Sequence, residues 1–168
     1  LEAGNEVRGE ALCFSEKGSA FQVDSADYNL PMTGELNVRN ALAVVAVARH
    51  CGLSDVQIQS AFENFKGIKR RMEVRGEVNG ITVIDDFAHH PTAIAETLRA
   101  ARARFPERRV WAIFEPRSNT TRRAVFQDDL VGALSEADSV VVAAVARLDQ
   151  LPVDDRLNPD ALMESIKS

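Results

Sequence analysis

Two polar segments hold most of the side chains that could do chemistry. The first supplies Asp85, Asp86, His89 and His90, directly after the apolar run 81–84. Carboxylates and imidazoles ahead of a helix can bind a sugar hydroxyl, a metal-bound water or a phosphate, and the free N–H groups of the helix attract anions. A plainer interpretation is also open, in which the two aspartates end a strand and His90 caps the following helix.

The second polar segment, Glu115–Thr120, follows the apolar run 110–114. Within it, Arg117, Ser118 and Asn119 offer a guanidinium, a hydroxyl and a carboxamide. A guanidinium suits a carboxylate because it donates two parallel hydrogen bonds. Ligands of doubly wound sheets bind beyond the carboxyl ends of the strands, so we expect the two polar segments to face one cleft.

A metal site built from the first polar segment is a weaker hypothesis. Mg²⁺ prefers oxygen ligands, and zinc sites usually space their histidines more widely. We therefore predict that this chain holds no metal, and a metal-dependent phosphoesterase stays open only as an alternative.

Two asparagines three residues apart, Asn37 and Asn40, open an amphipathic segment. A carboxamide offers a donor and an acceptor together, which is the pair that reads the N6/N7 edge of adenine. Taken alone, Asn37 is more typical of a helix N-cap, and Asn40 of a surface polar group. Further along the chain, Arg70 and Arg71 could hold phosphates or form a solvated charge pair.

Composition excludes several classes of function. The 168 residues carry a formal net charge of −5, which repels a phosphate backbone. The arginines between 99 and 109 are interpreted as the solvated outer face of a helix whose other side carries Leu98 and Phe105. No apolar run approaches the ~20 residues of a membrane span, and the first ten residues show no signal-peptide core. The two cysteines, Cys13 and Cys51, are interpreted as reduced. We expect a cytoplasmic protein that binds neither nucleic acid nor membrane.

Hydrophobic spacing predicts the elements of the first 70 residues. Residues 11–23 alternate about a central turn, which indicates a β-hairpin. Two amphipathic helices follow, and the second begins with the capping-box pattern of Ser54 and Gln57. Gly52 and Gly67 are the expected helix stops.

From residue 73 the pattern changes to strands that alternate with helices. An edge hairpin turns at Asn79-Gly80. Three apolar strands then alternate with three amphipathic helices, at 81–84, 91–105, 110–114, 122–134, 139–143 and 159–166. Strands that are apolar throughout belong to parallel sheets covered on both faces. The sequence therefore predicts an α/β fold, a Rossmann-like parallel sheet with helices on both faces, preceded by the β-hairpin and the helical hairpin.

Four segments together resemble the Mur ligase family in order and spacing: Gly34–Ala43, Gly67–Glu73, Ile84–Thr92 and Glu115–Thr120. The family comprises ATP-dependent amide-bond-forming enzymes of peptidoglycan synthesis. The last segment is most similar to the murein peptide ligase branch, which joins UDP-N-acetylmuramate to the tripeptide L-alanyl-γ-D-glutamyl-meso-diaminopimelate. The alternative branch, UDP-N-acetylmuramate–L-alanine ligase, normally has a histidine in that loop. Leu36 departs from relatives, which often have His there.

The resemblance implies a domain organisation and a role for each candidate residue. Residues 1–70 would be the end of a central ATPase domain, and 71–168 a C-terminal domain that receives the amino acid or peptide, with its last strands missing. The ATP-binding residues would be Asn37, Asn40, Arg71, Asp86 and His89. The peptide-binding residues would be Arg117, Ser118 and Asn119, with Asp85 and His90 as secondary candidates.

The resemblance also implies a mechanism. The γ-phosphoryl group of ATP passes to the muramyl carboxylate, and the amine of the peptide attacks the acyl phosphate. That transfer depends on a P-loop lysine and Mg²⁺, and the 168 residues contain no Gly-Lys dipeptide. We therefore expect ATP and Mg²⁺ to be bound mainly elsewhere in a larger protein, and the isolated chain to be inactive and to bind ATP weakly. A non-catalytic anion-binding module is the alternative of another class.

Overall fold

The computed structural model describes residues 7–167, except for the side chain at 167. The chain forms two compact units. Among the described residues, the first comprises 7–86 and 100–106, and the second comprises 87–99 and 107–167. No helix among the described residues is long and apolar enough to cross a bilayer.

Seven strands and five α-helices occur in the described part of the chain. The strands are β1 Gly9–Ser15, β2 Gly18–Val23, β3 Ala26–Leu30, β4 Glu73–Val78, β5 Ile81–Asp85, β6 Trp111–Phe114 and β7 Ser139–Val142. The helices are α1 Glu35–His50, α2 Asp55–Asn64, α3 Pro91–Arg104, α4 Gln127–Leu134 and α5 Pro159–Lys167.

The core of the first unit lies between an antiparallel sheet, in the order β1-β2-β3, and helices α1 and α2. Three rings meet there, with centroids 5.5 Å apart for Phe21 and Tyr28 and 5.9 Å apart for Tyr28 and Phe62. The predicted hairpin is confirmed. Strand β3 was not predicted, because it is only five residues long and follows β2 after a two-residue turn in which Asp24 has a φ of 54°.

Helix α1 begins one turn earlier than an Asn37 cap would require. Its N-cap is Gly34, with a φ of 113°, and a Cβ at this position would lie 2.7 Å from the Cβ of Ala100. Only glycine combines that backbone angle with that approach. The prediction that Asn37 caps the helix is therefore wrong: its side-chain amide donates to the carbonyl of Thr33 at 2.8 Å, from within the first turn. The helix stop at Gly52 is confirmed by its left-handed φ of 83°.

Two further local predictions in the first unit hold. The Ser54 hydroxyl accepts from the backbone N–H of Gln57, whose side chain accepts from the N–H of Ser54, so the capping box is complete. The β4–β5 hairpin turns at Asn79-Gly80, with φ values of 51° and 76°. These are the signs that a two-residue type I′ turn requires.

The second unit is built on a parallel pair of strands. β6 and β7 run in register from Trp111 opposite Ser139 to Phe114 opposite Val142. Their inner face packs with α3, α4 and α5 in an apolar cluster that includes Leu130 and Leu162, both fully buried. On the outer face the side chain of Ile113 is 78% exposed.

The predicted α/β class is confirmed. Among the described residues β4 and β5 form an antiparallel pair, and β6 and β7 form a parallel pair. Pairing across a two-residue turn closes a very short loop, which makes β4 an entropically inexpensive partner for β5. The helix predicted to start at Arg122 is shorter than expected. Arg123 is extended and bridges Arg156, a 3-10 turn spans Ala124–Phe126, and α4 starts at Gln127.

Candidate functional site

The paired aspartates at the end of β5 both contact the connecting segment 66–72. The Asp86 carboxylate accepts a hydrogen bond from the backbone N–H of Met72 at 2.8 Å. Asp85 lies 3.6 Å from the Nε of Arg70. Both carboxylates are half-buried. The structure therefore brings these predicted site residues together with the arginine pair that the sequence places 15 residues earlier.

Arg71 lies within that connecting segment. Its neighbours Arg70 and Met72 have φ values of 56° and 50°, in the left-handed region that non-glycine residues rarely occupy. The Glu73 carboxylate accepts from the backbone N–H of Arg70 at 2.8 Å, and this hydrogen bond is the main cause that lowers the pKa of Glu73. The backbone N–H of Arg71 donates to the carbonyl of Ile68 at 3.2 Å. The side chain of Arg71 is exposed.

Asn37 and Asn40 lie on one side of α1, because residues three apart in a helix are neighbours. Asn40 is exposed and can use both its N–H donors and its acceptor, whereas Asn37 is half-buried and one of its two N–H donors is engaged by the carbonyl of Thr33. An adenine edge needs one donor and one acceptor. Asn40 can offer both a donor and an acceptor to such an edge, and Asn37 can add its amide oxygen.

The two histidines, His89 and His90, belong to the second unit, and their rings make different contacts. The Nδ1 of His90 accepts from the backbone N–H of Thr92 at 3.4 Å, and its ring packs on Phe126 with centroids 5.0 Å apart. His90 thus caps α3, as the plainer interpretation predicted. The Nδ1 of His89 lies 3.0 Å from the carbonyl of Phe87. His89 is exposed, so its other ring nitrogen can meet a ligand.

The loop after β6 contains the predicted peptide-binding residues in three different settings. Arg117 is the most open, with a side chain 78% exposed and its Nε 3.6 Å from Glu115. Ser118 closes the loop internally, since its hydroxyl lies 2.8 Å from that of Thr121 and also accepts from the Thr121 N–H at 3.0 Å. Asn119 is exposed, and its side-chain oxygen accepts from Arg122. Arg117 is therefore the residue best placed to bind an anionic ligand.

Arg122 is a residue of this site that the sequence did not single out. It is only 9% exposed, and besides Asn119 it donates to the carbonyls of Ala146 and Arg147, at 3.5 and 3.3 Å. These carbonyls follow β7, so one guanidinium joins the loops beyond both parallel strands. Within the described ranges no carboxylate pairs with Arg122, and its Nε has no hydrogen-bond partner. Its only sequence signal is its position in an Arg122-Arg123 pair.

The described residues do not gather a metal-ligand set. Nowhere between residues 7 and 167 do three or more His, Cys, Asp or Glu side chains cluster in an arrangement that could hold an ion. The available chemistry is that of nucleotide and anion binding: carboxamides on α1, an exposed guanidinium at Arg71 and another at Arg117. Asp86 lies in the first compact unit and Arg117 in the second, and the common cleft stays a prediction.

A comparison with protein families decides the assignment. The family described as Mur ligase, glutamate ligase domain, matches residues 70–167. The chain belongs to the Mur ligase family. Known proteins and solved structures agree with this Mur ligase assignment over most of the chain.

Three similar proteins illustrate the match. The UDP-N-acetylmuramate–L-alanine ligase of Jannaschia sp. strain CCS1 is 44% identical over 160 residues, which are 95% of this chain and 33% of that protein. The UDP-N-acetylmuramate–L-alanyl-γ-D-glutamyl-meso-2,6-diaminoheptandioate ligase of Escherichia coli K12 is 44% identical over 118 residues, 70% of this chain and 26% of that protein. The crystal structure of the UDP-N-acetylmuramate–alanine ligase of Thermotoga maritima superposes with a TM-score of 0.78 at 27% identity, over 96% of this chain and 35% of that one.

Nearly all of this Mur ligase chain aligns with these relatives, but it spans only about a third of their length. Other relatives at 35–44% identity are also named UDP-N-acetylmuramate–L-alanine ligases. The comparisons therefore fit the L-alanine alternative better than the expected peptide-ligase branch.

Proposed function

We propose that this chain is part of an ATP-dependent Mur ligase that joins UDP-N-acetylmuramate to L-alanine. The observation that carries the proposal is the 44% identity over 95% of the chain to a ligase of that name. In the proposed arrangement, residues 1–70 end a central ATPase domain and 71–168 form the domain that receives the amino acid. The use of ATP and a UDP-sugar would place the enzyme in the cytoplasm.

The nucleotide would be bound mainly from the first unit. Asn40, with the amide oxygen of Asn37, has the chemistry to read adenine, and Arg71 has the charge to meet the phosphates. Asp86 and His89 are further candidates on the nucleotide side. A cation near the phosphates stabilises the charge that spreads over their oxygens during phosphoryl transfer.

The incoming amine substrate would be bound by the loop after β6. Arg117 has the exposure and charge to hold its carboxylate, and Ser118 and Asn119 are the polar neighbours that would orient it. Holding the amine in place would convert attack on the activated carboxyl group into an effectively unimolecular step.

Mg²⁺ and most of the phosphate contacts would be supplied by a part of the enzyme outside this chain. Mg²⁺ would neutralise phosphate charge, and the residues described here do not gather ligands for it. The 168-residue chain alone would therefore bind ATP weakly and form no product.

A second candidate is a ligase whose amine substrate is the tripeptide L-alanyl-γ-D-glutamyl-meso-diaminopimelate. Two observations favour it: the loop reads Glu115-Pro116-Arg117-Ser118-Asn119-Thr120 with no histidine, and the Escherichia coli relative named for that tripeptide is also 44% identical. The two candidates differ only in the amine substrate.

The test measures ADP release by the complete gene product that contains this chain, with UDP-N-acetylmuramate present and either L-alanine or the tripeptide supplied. ADP release that requires both the sugar nucleotide and L-alanine supports the main proposal. Release with the tripeptide alone selects the second candidate. If the complete gene product releases no ADP with either amine, the account is overturned and a non-catalytic anion-binding module is favoured. ADP release by the 168-residue chain on its own would also overturn the account.

A further inference from the structure

We propose that Asp86 is a positioning residue, which fixes the turn at 70–72 and thereby the direction of the Arg71 side chain. The proposal rests on the proposed function only in that Arg71 meets the nucleotide. The role of Asp86, which follows β5, is then to hold the backbone of Met72, the residue after Arg71.

The first step of the argument is the contact itself. The Asp86 carboxylate accepts from the backbone N–H of Met72 at 2.8 Å, across 14 residues of sequence and within the same compact unit. A hydrogen bond to an ionised acceptor is stronger than one between neutral groups. The half-buried setting of Asp86 reduces competition from water.

The second step is the backbone conformation that this contact maintains. Arg70 and Met72 both have left-handed φ values, which L-residues keep only where the surroundings over-determine them. Three successive N–H groups are engaged: that of Arg70 by Glu73, that of Arg71 by the carbonyl of Ile68, and that of Met72 by Asp86. Of the three acceptors, only Asp86 lies far along the chain, beyond the β4–β5 hairpin.

The third step concerns the side chains that the turn presents. Arg70 lies 3.6 Å from Asp85, whereas Arg71 is exposed and, among residues 7–167, takes part in no ion pair. The rotamers open to a side chain depend on its backbone angles, so a turn fixed on both sides of Arg71 limits where its guanidinium can go. The neighbouring carboxylates Asp85 and Asp86 thus hold the two residues that flank Arg71.

A positioning role and a direct ligand role make different demands on residue 86. Accepting a backbone N–H needs an oxygen, which asparagine also has, whereas binding a cation or opposing a phosphate needs the negative charge. Asp86→Asn is therefore the conservative variant that separates the two roles, and Asp86→Ala removes both.

The contact is tested in the 168-residue chain by hydrogen exchange of the Met72 amide. Asp86→Ala is expected to speed this exchange by about tenfold, because one charge-assisted hydrogen bond is lost. Asp86→Asn, which keeps an acceptor oxygen but not the charge, is expected to speed it by a smaller factor. Asp85→Asn is the matched control: it makes the same charge change at the neighbouring residue and is expected to leave the exchange rate of the Met72 amide unchanged. Amides of β1–β3 report that each variant is folded. Equal exchange in the wild type and Asp86→Ala would overturn the proposal.

The functional consequence is tested in the complete gene product by the KM for ATP. Arg71→Ala and Asp86→Ala are each expected to raise it by about tenfold, with most of the loss recovered in Asp86→Asn. The double variant Arg71→Ala/Asp86→Ala should be no worse than Arg71→Ala, because Asp86 acts through Arg71. The positioning role would be overturned if the increases in KM of the two single variants multiplied in the double variant. It would also be overturned if Asp86→Asn raised the KM for ATP as much as Asp86→Ala does. An unchanged KM in Arg71→Ala would instead overturn the nucleotide role of Arg71, and the Met72 exchange would still decide the contact.

Discussion

The guanidinium of Arg122 donates to the side-chain oxygen of Asn119, and both residues follow β6 in the second unit. The same guanidinium reaches the carbonyls of Ala146 and Arg147 beyond β7. A buried cation therefore ties together the two loops that follow the parallel strands. Its hydrogen bonds, rather than a carboxylate partner, offset the cost of its burial.

Arg122→Ala is expected to destabilise the chain by about 2 kcal/mol, because three acceptors lose their donor. The free energy of unfolding in urea measures this. The control is Arg123→Ala, which removes an exposed arginine that forms an ion pair with Asp155 at the surface and which should cost less than about 0.5 kcal/mol. Equal losses in the two variants would contradict a structural role for Arg122.

The stability of the first unit is expected to depend on pH through Asp55. Arg49 donates to the Asp55 carboxylate at 2.8 Å and Tyr28 donates to it at 2.5 Å, and these bonds, that of Arg49 first, lower the pKa of Asp55. A carboxyl group whose pKa is lower in the folded state contributes stability above its unfolded pKa of about 3.9, and that stability is lost as the pH falls through the folded value.

The measurement is the difference in unfolding free energy between the wild type and Asp55→Asn as a function of pH. The wild type should be the more stable protein at pH 6, and its advantage should shrink as the pH falls below about 4. A difference that stays constant from pH 6 to pH 2 would show that the ionised carboxylate of Asp55 contributes nothing.

Gly34→Ala is expected to destabilise the first unit by about 2 kcal/mol. The new Cβ would approach Ala100 to 2.7 Å, and the φ of 113° is strained for alanine in any case. The control is Gly132→Ala in α4, where nothing lies within 4 Å of the new Cβ and helix propensity favours alanine by up to about 1 kcal/mol. The thermal midpoint of unfolding is expected to fall in Gly34→Ala and to rise in Gly132→Ala. An unchanged midpoint in Gly34→Ala would refute the close approach to Ala100.

Local signals in the sequence were enough to predict most elements of this chain. The capping box of Ser54 and Gln57, the Asn79-Gly80 turn and the His90 cap each depend on residues within three positions of one another. Their geometry follows from the nearby backbone, whatever the rest of the molecule does.

Features that depend on distant packing were not predictable in this way. The cap at Gly34 rather than Asn37 depends on the approach of Ala100, 66 residues later. The role of Arg122 depends on carbonyls 24 and 25 residues away, and no spacing pattern marks a backbone acceptor. The sequence placed Asp86 at a strand end, but the loop that its carboxylate holds became evident only from the fold.

The account is tested most directly by two variants of the complete gene product, compared by their KM for each substrate. Arg71→Ala should raise the KM for ATP by about tenfold and leave that for the amine substrate within about twofold, and Arg117→Ala should do the reverse. Such a result would assign the nucleotide to the first unit and the amine to the second. An unchanged KM for ATP in Arg71→Ala together with an unchanged KM for the amine in Arg117→Ala would contradict the account.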